Sequence, residues 1–97
     1  MHKKLFVALA ASTITVSTTL SYAQTTPVEP DAVMSDGVTR AQTDALAGLI
    51  RLNGYSCNSI SAVVRFVFSY GFTVTCNSYR YTYEVEDRGG NWTVTVK

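Results

Sequence analysis

Residues 79–96 read Tyr79-Arg80-Tyr81-Thr82-Tyr83-Glu84-Val85-Glu86-Asp87-Arg88-Gly89-Gly90-Asn91-Trp92-Thr93-Val94-Thr95-Val96. Apolar and polar side chains alternate on both sides of Gly89-Gly90, the period of a strand with one face toward a core. A two-residue glycine turn joins such strands into a hairpin, because both central residues of the turn take positive φ. This turn pairs Val85 with Val94 and Tyr83 with Val96. Tyr81, Tyr83, Val85, Trp92, Val94 and Val96 then share the inward face, and Arg80, Thr82, Glu84, Glu86, Thr93, Thr95 and Lys97 face water.

Two more turns precede this one. Asn77-Ser78 reads as a two-residue turn that pairs Cys76 with Tyr79, Val74 with Tyr81 and Phe72 with Tyr83. Ser69-Tyr70-Gly71 reads as a three-residue loop with Gly71 at positive φ, pairing Phe68 with Phe72, Phe66 with Val74 and Val64 with Cys76. All three turns agree on one apolar face, which a one-residue slip in any of them would reverse. Upstream, Thr39 and Gln42 have capping-box spacing, and Ala41, Ala45, Leu46, Leu49, Ile50 and Leu52 form an apolar stripe that Asn53-Gly54 ends. The expected fold is α+β, with one helix over about 40–52 packed on a four-stranded antiparallel meander.

The first residues have the three parts of a secretory signal: basic Lys3 and Lys4, an apolar stretch from Leu5 to Ala11, and Ser21-Tyr22-Ala23 before a cut. Hydroxyl residues from Ser12 to Thr19 interrupt the apolar run, whereas a membrane-spanning helix takes about 20 predominantly apolar residues. Residues 1–23 are therefore read as a cleaved signal peptide, with no stable membrane insertion afterward. Residues 24–38, with Pro27, Pro30, Asp31, Asp36 and Gly37, read as a flexible leader, and residues 39–97 as the folded domain.

Cleavage removes Lys3, Lys4 and the chain's one histidine, leaving six basic residues against seven acidic ones and a net charge of −1. That balance offers no broad basic field for nucleic acid. The expected location is the periplasm or outside the cell, where Cys57 and Cys76, the two cysteines of the chain, can bond. Buried free thiols and a redox pair are the alternatives. The wide spacing is unlike Cys-x-x-Cys and favours a structural bond that pins the helix exit to the sheet. A core this small commonly needs such a staple or a partner.

No catalytic constellation is legible. The mature chain lacks a histidine to serve as base for its serines, and Gly89-Gly90 leads into a strand rather than a phosphate-binding helix. Glu84, Glu86 and Asp87 are close in sequence, as a carboxylate or calcium site would require, but Arg80, Arg88 and Lys97 balance them on a solvated strand face. No enzyme activity, cofactor or metal is expected. Six tyrosines are the compositional oddity. Tyr55, Tyr70 and Tyr79 fall at loops or strand ends, where exposed phenols suit binding, although tyrosine is also an ordinary strand residue.

The hairpin Tyr79–Asp87 with Gly89-Gly90 and Asn91–Val96 is similar to the strand pair of PepSY-type domains, small exported modules. The resemblance covers about the last fifth of the chain; the disulfide is not part of that pattern, and its closing Asp and Thr-Gly do not follow Val96. It implies a domain that restrains a peptidase or binds locally, and no catalytic residue carries over. As a whole the chain resembles small single-disulfide bacterial envelope proteins without an assigned activity. The expected function is a non-enzymatic envelope module binding a protein or peptide through its sheet edge or exposed tyrosines. The alternative is an inhibitor of an exported peptidase.

Overall fold

The structure, a computed structural model, describes residues 25–97, so the expected signal peptide lies outside the described residues. Strand β1 (Val28–Met34) leads to helix α1 (Arg40–Leu52), followed by β2 (Ile60–Arg65), β3 (Gly71–Cys76), β4 (Tyr81–Arg88) and β5 (Asn91–Val96). One five-stranded sheet has the order β1-β2-β3-β4-β5. β1 runs parallel to β2, with α1 as the crossover, and the other pairs are antiparallel. The α+β class holds, but the sheet is mixed and has one strand more than the expected meander.

The helix starts and stops where its local signals put it. Thr39 Oγ1 accepts from the Gln42 N–H at 3.1 Å, and Gln42 Oε1 accepts from the Thr39 N–H at 2.9 Å. These bonds satisfy donors that a helix start leaves free. Its buried face is Thr43, Leu46, Ala47 and Ile50, a set at helical spacing. Ala41, Ala45 and Leu52 of the expected stripe are exposed, and Leu49 is half-buried.

The extra strand comes from the segment read as a flexible leader, and its anchors are tertiary. Buried Thr26 donates its N–H to Asp44 Oδ1 at 3.0 Å, and its carbonyl accepts from Arg40 Nη2 at 2.8 Å. Its hydroxyl accepts from Arg51 Nη1 at 2.9 Å. β1 itself is irregular. The step from Val28 to Val33 spans only Ile60 to Ala62 on β2, with Pro30 inside the irregularity. No alternating apolar pattern marks it, because partners far along the chain hold it.

Register follows expectation in one hairpin of three. Val85 pairs with Val94 and Tyr83 with Val96, and Gly89 and Gly90 turn at φ +65 and +92. Between β3 and β4 the loop has four residues rather than two, so Val74 faces Tyr83 and Cys76 faces Tyr81. That shift of two keeps the inward face. Between β2 and β3, Val63 faces Val74 and Ile60 faces Cys76. The odd offset from the expected pairing turns Val64 outward and removes Phe66 and Phe68 from the strand. An irregularity between Ile60 and Ala62 brings Ile60 and Val63 together under the helix.

Gly71 is not at positive φ. It is a glycine for want of space: a Cβ there would lie 2.6 Å from the Val85 carbonyl oxygen and 2.7 Å from the Phe66 ring.

The core gathers Leu46, Ala47 and Ile50 of α1 over Ile60, Val63, Phe72, Val74, Tyr83 and Val85. Cys57 and Cys76 form the expected disulfide, fully buried beside this cluster, with their Cα atoms 5.2 Å apart. A helix is about 10 Å across, whereas the outer strands of a five-stranded sheet are about 19 Å apart. One helix cannot cover that face. Here it packs on β2 and β4, and Trp92 and Val96 of β5, expected inside, are 42% and 55% exposed.

Candidate functional site

The end of the sheet beside the disulfide is closed by polar bonds. Glu29 Oε2 accepts from Ser59 Oγ at 2.7 Å, Ser61 Oγ at 2.9 Å and the Ser78 N–H at 2.8 Å. The Ser59 hydroxyl, foremost, and then the Ser78 N–H hold the Glu29 carboxyl below its ordinary range, against an opposing push from burial. The β3–β4 loop that this carboxylate grips carries Asn77, Ser78 and Tyr79 in succession at φ +57, +56 and +64. Left-handed backbone costs an ordinary residue roughly 1–2 kcal/mol. Asn77 Oδ1 accepts from the N–H groups of Asn58 and Ser59, and the Tyr79 N–H reaches Ser61 Oγ at 2.9 Å. These bonds offset the strain.

Two of the three tyrosines singled out for binding belong to this closed end. Tyr79 is half-exposed, but its backbone is part of the gripped loop. Tyr55 stacks on Tyr83 with ring centroids 5.5 Å apart, and the Tyr83 hydroxyl donates to the Ser56 carbonyl at 2.8 Å. Burial raises the Tyr83 phenol above its ordinary pKa. Tyr70 lies at the other end of β3, about 20 Å away for a strand of this length. The three residues therefore do not form one patch.

The opposite flank is open. The Lys97 N–H bonds the Thr82 carbonyl at 2.9 Å. By the alternation of an antiparallel ladder, Asn91, Thr93 and Thr95 also turn their backbone groups toward β4. Trp92, Val94 and Val96 turn theirs outward, along the free edge of the sheet. Beside this edge, a hollow of about 410 Å³ is lined by Gln42, Ala45, Leu46, Leu49, Phe72 and Trp92. A second hollow of about 380 Å³ shares Gln42, Phe72 and Trp92 with the first and extends to Arg65, Tyr70 and Asp87. Together they form one groove from the middle of α1 to the β2–β3 loop, and Tyr70 is the one predicted binding tyrosine that lines it. The Arg65 guanidinium stands over the Phe72 ring, 5.3 Å from its centroid.

The β2–β3 loop exposes apolar side chains at the end of this groove: Val67, which lines it, is 83% exposed, and Phe68 is 99% exposed. Sequence alternation placed Phe68 inside, so neither it nor Trp92 stood out as a surface residue. For Trp92 the signal was available. It sits on the last strand of a sheet too wide for one helix.

The acidic cluster of β4 is engaged with neighbours. Glu86 pairs with Arg88 at 3.0 Å, Glu84 with Lys97 at 3.8 Å, and Asp87 Oδ1 accepts from the Gly90 N–H at 2.6 Å. Among the described residues, no three His, Cys, Asp or Glu side chains are grouped as metal ligands would be, and no helix is long and apolar enough to cross a membrane. No protein-family model, curated protein or solved structure matches the chain.

Proposed function

We propose that the protein is an exported, non-enzymatic binding module of the cell envelope, working in the periplasm or outside the cell, which takes an extended stretch of a protein or peptide along β5. The observation that carries this reading is one of placement. The outward backbone groups of Trp92, Val94 and Val96 run beside an apolar groove walled by Leu46, Leu49, Phe72 and Trp92. A strand added to a sheet edge draws affinity from main-chain hydrogen bonds and specificity from pockets for alternate side chains. Arg65 and Asp87 put one charge of each sign near the Tyr70 end of the groove, where they can fix the direction of a partner. The Cys57–Cys76 bond supports a location outside the reducing cytoplasm.

A photoreactive residue placed at Val94, compared with one at Asp31 on the opposite edge, tests this in living cells. Covalent adducts with a protein partner are expected from position 94 and none above background from position 31. Equal labelling at both positions, or at neither, would sink the reading.

A further inference from the structure

We infer, building on β5 as the binding edge, that its occupant is β5 of a second copy of this chain, paired antiparallel about a two-fold axis through Val94. The edge is complementary to itself in that register. Val94 faces its own counterpart, and Trp92 faces the partner's Val96. Every outward N–H and C=O of Trp92, Val94 and Val96 then finds a backbone partner. On the face turned from the helix, Thr93 meets the partner's Thr95 and Asn91 meets the partner's Lys97. No like charges oppose each other, and Lys97 is already held by Glu84 at 3.8 Å.

The two edges of the sheet differ in the way such pairing requires. Edge strands that stay unpaired are commonly blunted by proline, charge or bulges. β1 has all three: Pro30, exposed Asp31 and the broken register between Val28 and Val33. β5 has none of them among its six residues, Asn91–Val96, and is regular throughout. A two-fold axis also adds the partner's Val96 and Val94 beside Trp92, on the β5 side of the groove. The net charge of −1 expected for the exported chain, six basic residues against seven acidic ones, leaves little long-range repulsion between copies. A standard specific interface takes about 800 Å² from each partner, and β5 brings six residues to this one. Association should therefore depend on concentration.

Sedimentation analysis of the exported chain with its disulfide intact, from the micromolar to the millimolar range, is the direct test. A monomer–dimer equilibrium is expected, with exchange of the Trp92, Val94 and Val96 amides slowing as the dimer forms. Val94→Pro removes an outward N–H without touching the bonds to β4, and should weaken association roughly tenfold or more. Val94→Lys, which places like charges opposite each other on the axis, should do the same. A chain that stays monomeric throughout, or a dimer that both variants leave intact, overturns the second copy as occupant. If a monomeric chain still forms adducts with another protein from position 94, the binding edge stands and only the identity of its occupant falls. A chain with neither dimer nor adducts loses both.

Discussion

The two flanks of the sheet are finished by different physics. On the β1 flank, directional polar bonds do the closing: Glu29 grips three donors, Thr26 is held by Arg40, Asp44 and Arg51, and the Cys57–Cys76 disulfide lies just inward. On the β5 flank Trp92 and Val96 are about half-exposed, and no element among the described residues covers them. The difference is one of supply. Among the described residues a single thirteen-residue helix covers part of a five-stranded face, and polar groups fasten one edge strand while apolar surface stays open beside the other. An apolar surface next to an unblunted edge is where a small domain can bind.

Substitutions on each flank can break this contrast, beginning with the strongest tie. Replacing Cys57 and Cys76 together by serine should lower the unfolding free energy by about 3 kcal/mol, for a loop of this length in the chain-entropy model. The urea midpoint of the oxidised wild type is the comparison. An unchanged midpoint would mean that the polar bonds alone hold the closed flank.

Arg51→Ala should cost about 2 kcal/mol, because it strips the buried Thr26 hydroxyl and the Cys57 carbonyl of their donor. Faster amide exchange at Thr26 should accompany the loss. Full protection there would show that the N-terminal segment is fastened by something other than this clasp.

The smallest effect belongs to the open side. Phe68→Ser should change stability by no more than about 0.5 kcal/mol, since the side chain it removes is fully exposed. A larger loss in the same urea titration would mean that the loop packs against the domain and that the flanks differ less than described.

Legibility in the sequence followed the distance over which each signal acts. The capping box spans Thr39 to Gln42, and the Gly89-Gly90 turn sets β4 against β5 within a few residues; both were readable and both hold. The β1 strand was not, because its anchors are remote: Ser78 reaches Glu29 across 49 residues and Arg51 reaches Thr26 across 25. The β2–β3 register failed for a related reason. Val64, Phe66 and Phe68 alternate as an inward face would, and nothing local reveals that Ile60 and Val63 are the residues drawn beneath α1. In the candidate site, Tyr70 is legible as a loop tyrosine, and it lines the groove. Leu49 and Trp92 read as core on the assumption that one helix covers the whole sheet, whereas Tyr55 and Tyr79, like Tyr70, are singled out by their place at loops or strand ends.

By itself, the sequence determined the helix and its cap, the last hairpin with its register, the α+β class and the pairing of Cys57 with Cys76. Each rests on local backbone geometry or on there being a single pair of thiols to join. Only the tertiary structure decided that residues 28–34 close one edge, that the β3–β4 loop runs left-handed, and that β5 keeps its outer backbone free beside an apolar groove. Those outcomes depend on how far one helix reaches across five strands and on which distant polar groups meet at the sheet's ends. No window of neighbouring residues contains that information.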